Sequence, residues 1–141
     1  IINNSVGSRI FKNAFFDDGK GQLVDVLDDG DLSCAYFVSS ILNILGIINS
    51  VHCTVKGTLQ AMEKNGWTKN EFKSIEKVSI GSIILWENNF GKDGSHYHIG
   101  FYIGDNLAVS NCSSQKAICK HPVDYNGEAK VIGIYYHSLL D

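Results

Sequence analysis

The stretch that decides the fold is residues 97–104, which read Tyr-His-Ile-Gly-Phe-Tyr-Ile-Gly. Apolar residues alternate here with polar or small ones, and this period of two predicts a β-strand from Tyr97 to Ile103. Ile99 and Phe101 then face one side of a sheet, and His98 faces the other side together with the glycine two residues later. A glycine inside a strand often marks the close approach of another backbone.

Helices and strands are segregated along the chain. Apolar residues at helical spacing predict the helices early, whereas alternating patterns predict the strands late. Helices are predicted at 33–46, at 54–65 and, as a short third one, within 68–77; strands are predicted at 82–86, 97–103, 107–111 and 131–136. This order predicts an α+β domain, with the helices packed on one face of an antiparallel sheet.

Composition limits the class of protein. The chain has 141 residues, and twelve Lys plus Arg against fifteen Asp plus Glu give a net charge of −3. This length predicts one domain over residues 1–141, and the charge lacks the basic excess of a nucleic-acid binder. The apolar stretch 41–48 is interrupted by Asn43 and Gly46. It is far shorter than the ~20 residues that cross a bilayer, so we expect no membrane span.

Cys34 is the strongest candidate nucleophile. It lies in the first turn of the predicted helix, directly after Ser33, which we expect to be the N-cap. The positive end of the helix dipole favours thiolate there, so we expect the pKa of Cys34 to fall. The N–H groups of the same turn would stabilise an oxyanion. A structural, inert cysteine is the alternative that this position leaves open.

His98 is the candidate general base, and a third residue should orient its ring. A two-residue turn in the following hairpin places Asn111 on the face of His98, whereas a three-residue loop places Ser110 there. We favour Asn111 and hold Ser110 in reserve. For the lining of the substrate cleft the candidates are Tyr36, Trp86 and His96.

Three segments together resemble a known family. Residues 33–38 read Ser-Cys-Ala-Tyr-Phe-Val, residues 81–86 read Gly-Ser-Ile-Ile-Leu-Trp, and residues 98–104 read His-Ile-Gly-Phe-Tyr-Ile-Gly. In order and spacing they resemble the NlpC-type cell-wall peptidases and the CHAP amidases, which are papain-like cysteine hydrolases. The resemblance covers about residues 30–112. It implies a papain-like fold with Cys34 as nucleophile and His98 as general base and acid.

The resemblance also implies a substrate and a location. Family members cleave amide bonds of peptidoglycan peptides without a metal or organic cofactor, so we expect a secreted or cell-envelope enzyme. The chain starts at Ile1, with no initiator Met and no signal-peptide pattern, and we expect it to be a domain of a longer product. The alternatives are an NlpC-like binding module with impaired catalysis, or an amidase with a substrate outside the cell wall, of the secreted-effector or phage-lysin type.

The sequence departs from the family at three points. Ser33 stands where the family commonly has Asp, residues 19–33 hold no aromatic residue to supply an oxyanion hydroxyl, and strict NlpC spacing puts Ser110 in the third catalytic position.

Cys112 and Cys119 are a candidate disulfide if the protein is exported and free thiols otherwise. A zinc site formed by these two cysteines and His121 is a weaker alternative.

Overall fold

The structure is a computed structural model that describes residues 1–90 and 96–140, apart from the side chains of 88–90. Residues 91–95 and Asp141 lie outside the described residues. The sequence predicts His96 in a loop that borders the cleft, but His96 is the first residue of a strand, His96–Gly104. The helices are α1 (Cys34–Ile44) and α2 (Val55–Lys64), and the strands are β1 (Phe15–Asp17), β2 (Leu23–Asp25), β3 (Thr68–Asn70), β4 (Ile83–Phe90), β5 (His96–Gly104), β6 (Leu107–Cys112), β7 (Ala117–Pro122) and β8 (Val131–Tyr136).

The strands form one large sheet and one small hairpin. The large sheet has the order β3-β8-β4-β5-β6-β7 and is antiparallel throughout, whereas β1 and β2 pair only with each other. With α1 packed against β5 and β6, the architecture is the predicted α+β class. None of the helices within the described ranges is both long and apolar enough to cross a membrane.

The main core lies between α1 and one face of the sheet. Phe37, Val38 and Ile41 of α1 are buried against Ile99 and Phe101 of β5. The rings of Phe37 and Phe101 meet edge to face with centroids 5.6 Å apart. The helical and strand periods of these residues point to the same interface, so burial of apolar area fixes the helix on the sheet.

The opposite face of the sheet carries a second cluster. Trp86 is fully buried there among Ile84, Ala108 and Val123. The connection before β4 and the turn after β7 supply the side chains that cover it, including Val78. This face also carries His98, and its packing therefore decides the surroundings of that ring.

Most predicted elements are present, but residues 68–77 differ from the prediction, and β1, β2 and β7 are not predicted. α1, α2 and the four predicted strands lie where the sequence places them, within a few residues at their ends. Residues 68–77 form β3 and a single 3₁₀ turn at Ile75–Lys77 instead of a helix, because β3 pairs with β8 along the sheet edge. The sequence does not predict β7. Cys119 and His121, on the face of the sheet that carries His98, are polarisable or polar, so the strand lacks a clear apolar alternation.

Candidate active site

Cys34 is the first residue of α1, at the end of the helix that lies nearest to β5. Within the described part of the chain, the hydroxyl of Ser33 makes no capping bond and instead donates to the carbonyl of Lys12 at 3.4 Å. Ser33 therefore occupies the N-cap position as predicted, but its side chain does not cap the helix. At the other end, Gly46 adopts a φ of +69° and closes the helix as predicted.

The segment ahead of Cys34 is held by the Asp25 carboxylate. It accepts hydrogen bonds from the backbone N–H groups of Ala14, Leu27 and Asp29 at 2.9–3.1 Å. Burial raises the pKa of Asp25, but these N–H groups and the Asn13 amide outweigh it and lower the pKa to about 2. A carboxylate that stays charged at neutral pH thus fixes the turn that leads into α1.

The thiol of Cys34 is buried and protonated at neutral pH. Burial raises its pKa to about 11, although the backbone N–H groups of Ile99, Ala35 and Cys34 itself favour the thiolate. The sulfur makes a weak contact with the carbonyl of Tyr97, with Sγ and O 4.0 Å apart. The expectation that the helix N-terminus lowers this pKa is therefore wrong, because desolvation of the charge is the larger effect here.

His98 lies at the start of β5 on the face turned away from α1. Its side chain is buried, and Nε2 lies 2.8 Å from Oγ of Ser110. Burial lowers its pKa to about 3, and the neighbouring His121 adds to the shift. The imidazole is thus neutral at pH 7.

The hairpin register decides which residue orients His98. The hairpin turns through residues 105–106, both with positive φ, and Ile103 is the extra residue of a β-bulge before the turn. The bulge moves the register by one position, so Ser110 instead of Asn111 lies on the face of His98. The predicted pairing of His98 with Asn111 is wrong, and the reserve residue takes that place.

Asn111 has a different contact. Its amide donates to the carbonyl of Gly30 at 2.8 Å, and the residue lies opposite Ile118 on the helix side of the sheet. The bond ties β6 to the segment that leads into Cys34. Asn111 therefore supports the site through the backbone and not through the imidazole.

Gly100 allows Ser110 to approach His98. A Cβ atom at Gly100 would lie 2.6 Å from Cβ of Ser110 and 2.7 Å from the carbonyl oxygen of Val109. Neither atom belongs to a flexible side-chain end, so any side chain here would push the strands apart. The glycine does mark the close approach of another backbone, but the partner is β6 and not the start of α1, which packs on the opposite face of β5.

Three further residues complete the surroundings of His98. Oγ of Ser110 also contacts Nε2 of His121 at 2.7 Å and the hydroxyl of Tyr125 at 3.0 Å. The His121 and Tyr125 rings stack with centroids 3.9 Å apart, and Trp86 lies beneath His98 at 5.3 Å. Sequence reasoning missed the roles of His121 and Tyr125. No local signal pointed to them, because β7 lacks a clear apolar alternation and is placed by its register with β6.

Cys34 and His98 line one cavity. It has a volume of about 310 Å³ and is also lined by His96, Tyr97 and Asp31. A second cavity of about 250 Å³ is also lined by Asp31 and His98, and in addition by Asn111 and Tyr125. His98 thus borders both cavities.

The three cleft candidates lie in different places. His96 is exposed and lines the cavity of Cys34. Trp86 is fully buried, and its indole N–H donates to the carbonyl of Val123 at 2.6 Å, so it forms a floor under His98 and no cleft wall. Tyr36 packs against Phe11 in the helix core, with ring centroids 6.3 Å apart, outside the lining of this cavity.

The four cysteines, all of which lie in described residues, are free thiols. Sγ of Cys112 lies 3.2 Å from Oγ of Ser114, and the thiol of Cys119 donates to the carbonyl of Ala117 at 3.7 Å. Burial raises the pKa of Cys119 to about 12. Over residues 1–90 and 96–140, no three His, Cys, Asp or Glu side chains are grouped so that they would hold a metal ion, the zinc alternative at His121 included.

Neither family models nor curated proteins assign a role to the site. No protein-family model matches it, and no curated protein matches it significantly. What the site can do chemically follows from its own groups: a buried thiol at a helix start and a neutral imidazole line one cavity, and the imidazole is held by a hydroxyl.

Proposed function

We propose that the protein hydrolyses an amide bond through an acyl-thioester on Cys34, within a papain-like fold. The observation that carries the proposal is the shared cavity of Cys34 and His98, in which Ser110 holds Nε2 of the ring. Nucleophile, base and orienting residue are the three parts that covalent acyl transfer needs. Chain order and placement of the first two agree with the resemblance to NlpC and CHAP enzymes.

The reaction proceeds in two steps. Cys34 Sγ bonds to the carbonyl carbon while its proton moves to His98, which donates it to the leaving nitrogen as the C–N bond breaks. An amine leaves, and the acyl group remains as a thioester. His98 then takes a proton from water as the oxygen attacks the thioester carbonyl, and returns it to Sγ as the C–S bond breaks, so that a carboxylic acid leaves and the thiol is regenerated.

The resting state is a neutral pair. Burial holds the Cys34 pKa high and the His98 pKa low, so thiol and imidazole face the substrate uncharged. Proton transfer therefore accompanies attack on the carbonyl and does not precede it. The N–H groups of Cys34 and Ala35 point toward the sulfur at the helix start, where they can also stabilise the oxyanion.

Peptidoglycan peptides are the substrate class that we propose, on the basis of the resemblance. The second cavity at His98 is also lined by Asp31, Ser113 and Ser114, and such polar groups suit a peptide with exposed amides. With this substrate class we propose a location in the cell envelope or outside the cell.

The test is release of amines from purified peptidoglycan by the wild type and by Cys34→Ala. Loss of at least about 10²-fold in rate is expected for Cys34→Ala, since the covalent route is removed. Cys53 is the matched control, because it lines the same cavity, and Cys53→Ala should retain activity. Equal rates for wild type and Cys34→Ala would contradict the nucleophile.

A binding module is the second candidate, and the raised pKa of Cys34 is the observation that favours it. Such a module would bind muropeptides without turnover. Mass spectrometry of the wild type after incubation with substrate separates the two, because only an enzyme forms an adduct on Cys34. Saturable binding without adduct or product would establish the module.

A further inference from the structure

A continuous chain of hydrogen bonds links His98 to a backbone carbonyl on the edge strand. Nδ1 of His121 lies 2.9 Å from the carbonyl oxygen of Pro122, and its Nε2 lies 2.7 Å from Oγ of Ser110. The same Oγ lies 2.8 Å from Nε2 of His98. The chain therefore runs from Pro122 through His121 and Ser110 to the candidate base.

The protons in this chain can be placed one after another from its fixed end. A carbonyl oxygen only accepts, so Nδ1 of His121 carries a proton and donates it to Pro122. Burial lowers the pKa of His121, which keeps the ring neutral and leaves Nε2 as an acceptor. Ser110 must therefore donate its only proton to Nε2 of His121.

Ser110 can then only accept from its other two near partners. Nε2 of His98 must carry a proton and donate it to Oγ, and the Tyr125 hydroxyl, at 3.0 Å, must donate as well. The carbonyl of Asn111, at 3.5 Å, is the most distant neighbour of Oγ and does not compete with the 2.7 Å contact to His121. With its proton on Nε2, the neutral His98 ring has its lone pair on Nδ1.

We propose that His121 is a positioning residue that, through Ser110, sets His98 in the tautomer with a proton on Nε2 and a basic Nδ1. Without it, the Ser110 hydroxyl can turn its proton toward His98, and the basic nitrogen becomes Nε2, which faces Ser110. Loss of the base at Nδ1 matters for turnover only if the proposed function holds; the tautomer itself does not depend on it.

The surroundings of His121 suit this role. The ring is held between Tyr125, stacked at 3.9 Å, and Trp86, whose ring centroid lies 5.6 Å away. Its own strand fixes the bond to Pro122, since the two residues are neighbours in the chain. The ring thus has little freedom to turn and reverse the direction of the chain.

The experiment is ¹⁵N NMR of the histidine side chains in the full chain at pH 7, which reports the protonated nitrogen of each ring. We expect the proton on Nε2 for His98 and on Nδ1 for His121. A proton on Nδ1 of His98, or on Nε2 of His121, in the wild-type protein would overturn the proposal. The readout needs no substrate, so it stands even if amide hydrolysis is not observed.

Two substitutions separate positioning from packing. His121→Phe keeps an aromatic ring against Tyr125 but removes the acceptor, and should broaden or reverse the tautomer preference of His98. His121→Gln restores a side-chain oxygen that can accept from Ser110, and should restore the Nε2 proton. Tyr125→Phe is the control, because it removes a donor to Ser110 and leaves the direction of the chain unchanged.

Activity provides the second readout. His121→Phe should lower kcat/KM on peptidoglycan fragments roughly 10- to 100-fold, a part of the 10²–10⁴-fold that a positioned base contributes, while His121→Gln stays close to wild type. If both variants lose activity equally and the His98 tautomer stays unchanged, His121 acts only by packing and the proposal fails. If the tautomers are as expected but wild type has no activity, the proposed function alone fails.

Discussion

The two faces of the six-stranded sheet bury different chemistry, although the same strands supply both. On the helix side, β5 contributes Ile99 and Phe101 to an apolar core against α1. On the opposite side, it contributes His98 to a group of rings and hydroxyls whose polar atoms are hydrogen-bonded. Burial of apolar area stabilises the fold at the first face. At the second face, each buried polar group that lacks a hydrogen-bond partner destabilises it.

The adjacent residues Ser110 and Asn111 show the same difference at close range. Ser110 contacts the His98 ring, and Asn111, turned to the other face, ties β6 to the backbone before Cys34. A single bulge at Ile103 decides which residue does which. One residue of register therefore decides whether a side chain of β6 contacts the imidazole of His98 or the backbone ahead of Cys34.

The largest effect is expected on the helix side. Phe101→Ala removes a fully buried ring that meets Phe37, so the free energy of unfolding should fall by about 3–5 kcal/mol. Urea unfolding followed by circular dichroism measures it. Val24→Ala, at an exposed position of β2, is the control and should change stability little. A loss below about 1 kcal/mol for Phe101→Ala would contradict this account of the core.

Gly100→Ala should come second, with a loss of about 1–3 kcal/mol and loss of activity. Its Cβ would meet the Cβ of Ser110 and the backbone of Val109, neither of which can yield without moving β6. Gly133→Ala is the matched control on β8, since its Cβ would meet only the flexible end of Lys69 at 2.7 Å. Equal losses in the two variants would show that the tight approach at Gly100 is not what matters.

The pH dependence of the free energy of unfolding should show the titration of His98 on the acid side. The pKa of His98 falls from 6.5 to about 3 on folding, so between these values the unfolded chain binds one more proton. Stability should therefore fall as pH drops below 6.5, by about 1.4 kcal/mol per pH unit for this one group once pH is well below that value. His98→Asn should flatten the acid limb measured by urea unfolding at several pH values. An unchanged limb would mean that His98 does not titrate as its burial requires.

The titration of Cys34 should lower the free energy of unfolding on the alkaline side, as pH rises. Its pKa rises from 9.0 to about 11 on folding, so the unfolded chain releases the proton first and stability falls as pH climbs through this window. Cys34→Ala should remove that part of the alkaline loss and leave the acid limb unchanged. The same unfolding series measures both limbs.

The smallest effect is expected from Asn111→Ala. The variant removes one hydrogen bond, to Gly30, and should cost about 1 kcal/mol of stability while amide hydrolysis persists. Ser110→Ala, one residue away, should instead lower kcat roughly 10- to 100-fold, since His98 loses the hydroxyl that holds its ring. A larger loss of activity in Asn111→Ala than in Ser110→Ala would reverse the two roles.

Much of the fold could be predicted because its signals are local. The helical spacing from Phe37 to Ile41 and the alternation in β5 depend only on neighbouring residues, and both elements formed where those patterns lie. Thr54, predicted at the start of α2, caps that helix by accepting from the N–H of Gly57 at 3.1 Å. The missed strand β7 has no such local pattern, since it is held by its register with β6.

The sequence by itself determined the class of fold, the helix that begins at Cys34, and the face of β5 on which His98 lies. These features depend on periodicity and helix ends, which are set by residues close together in the chain. Only the tertiary structure decided the partner of His98, the involvement of His121 and Tyr125, and the charge state of the thiol. A bulge, a cross-strand contact and a desolvation energy all depend on residues far apart in sequence, so no local pattern specifies them.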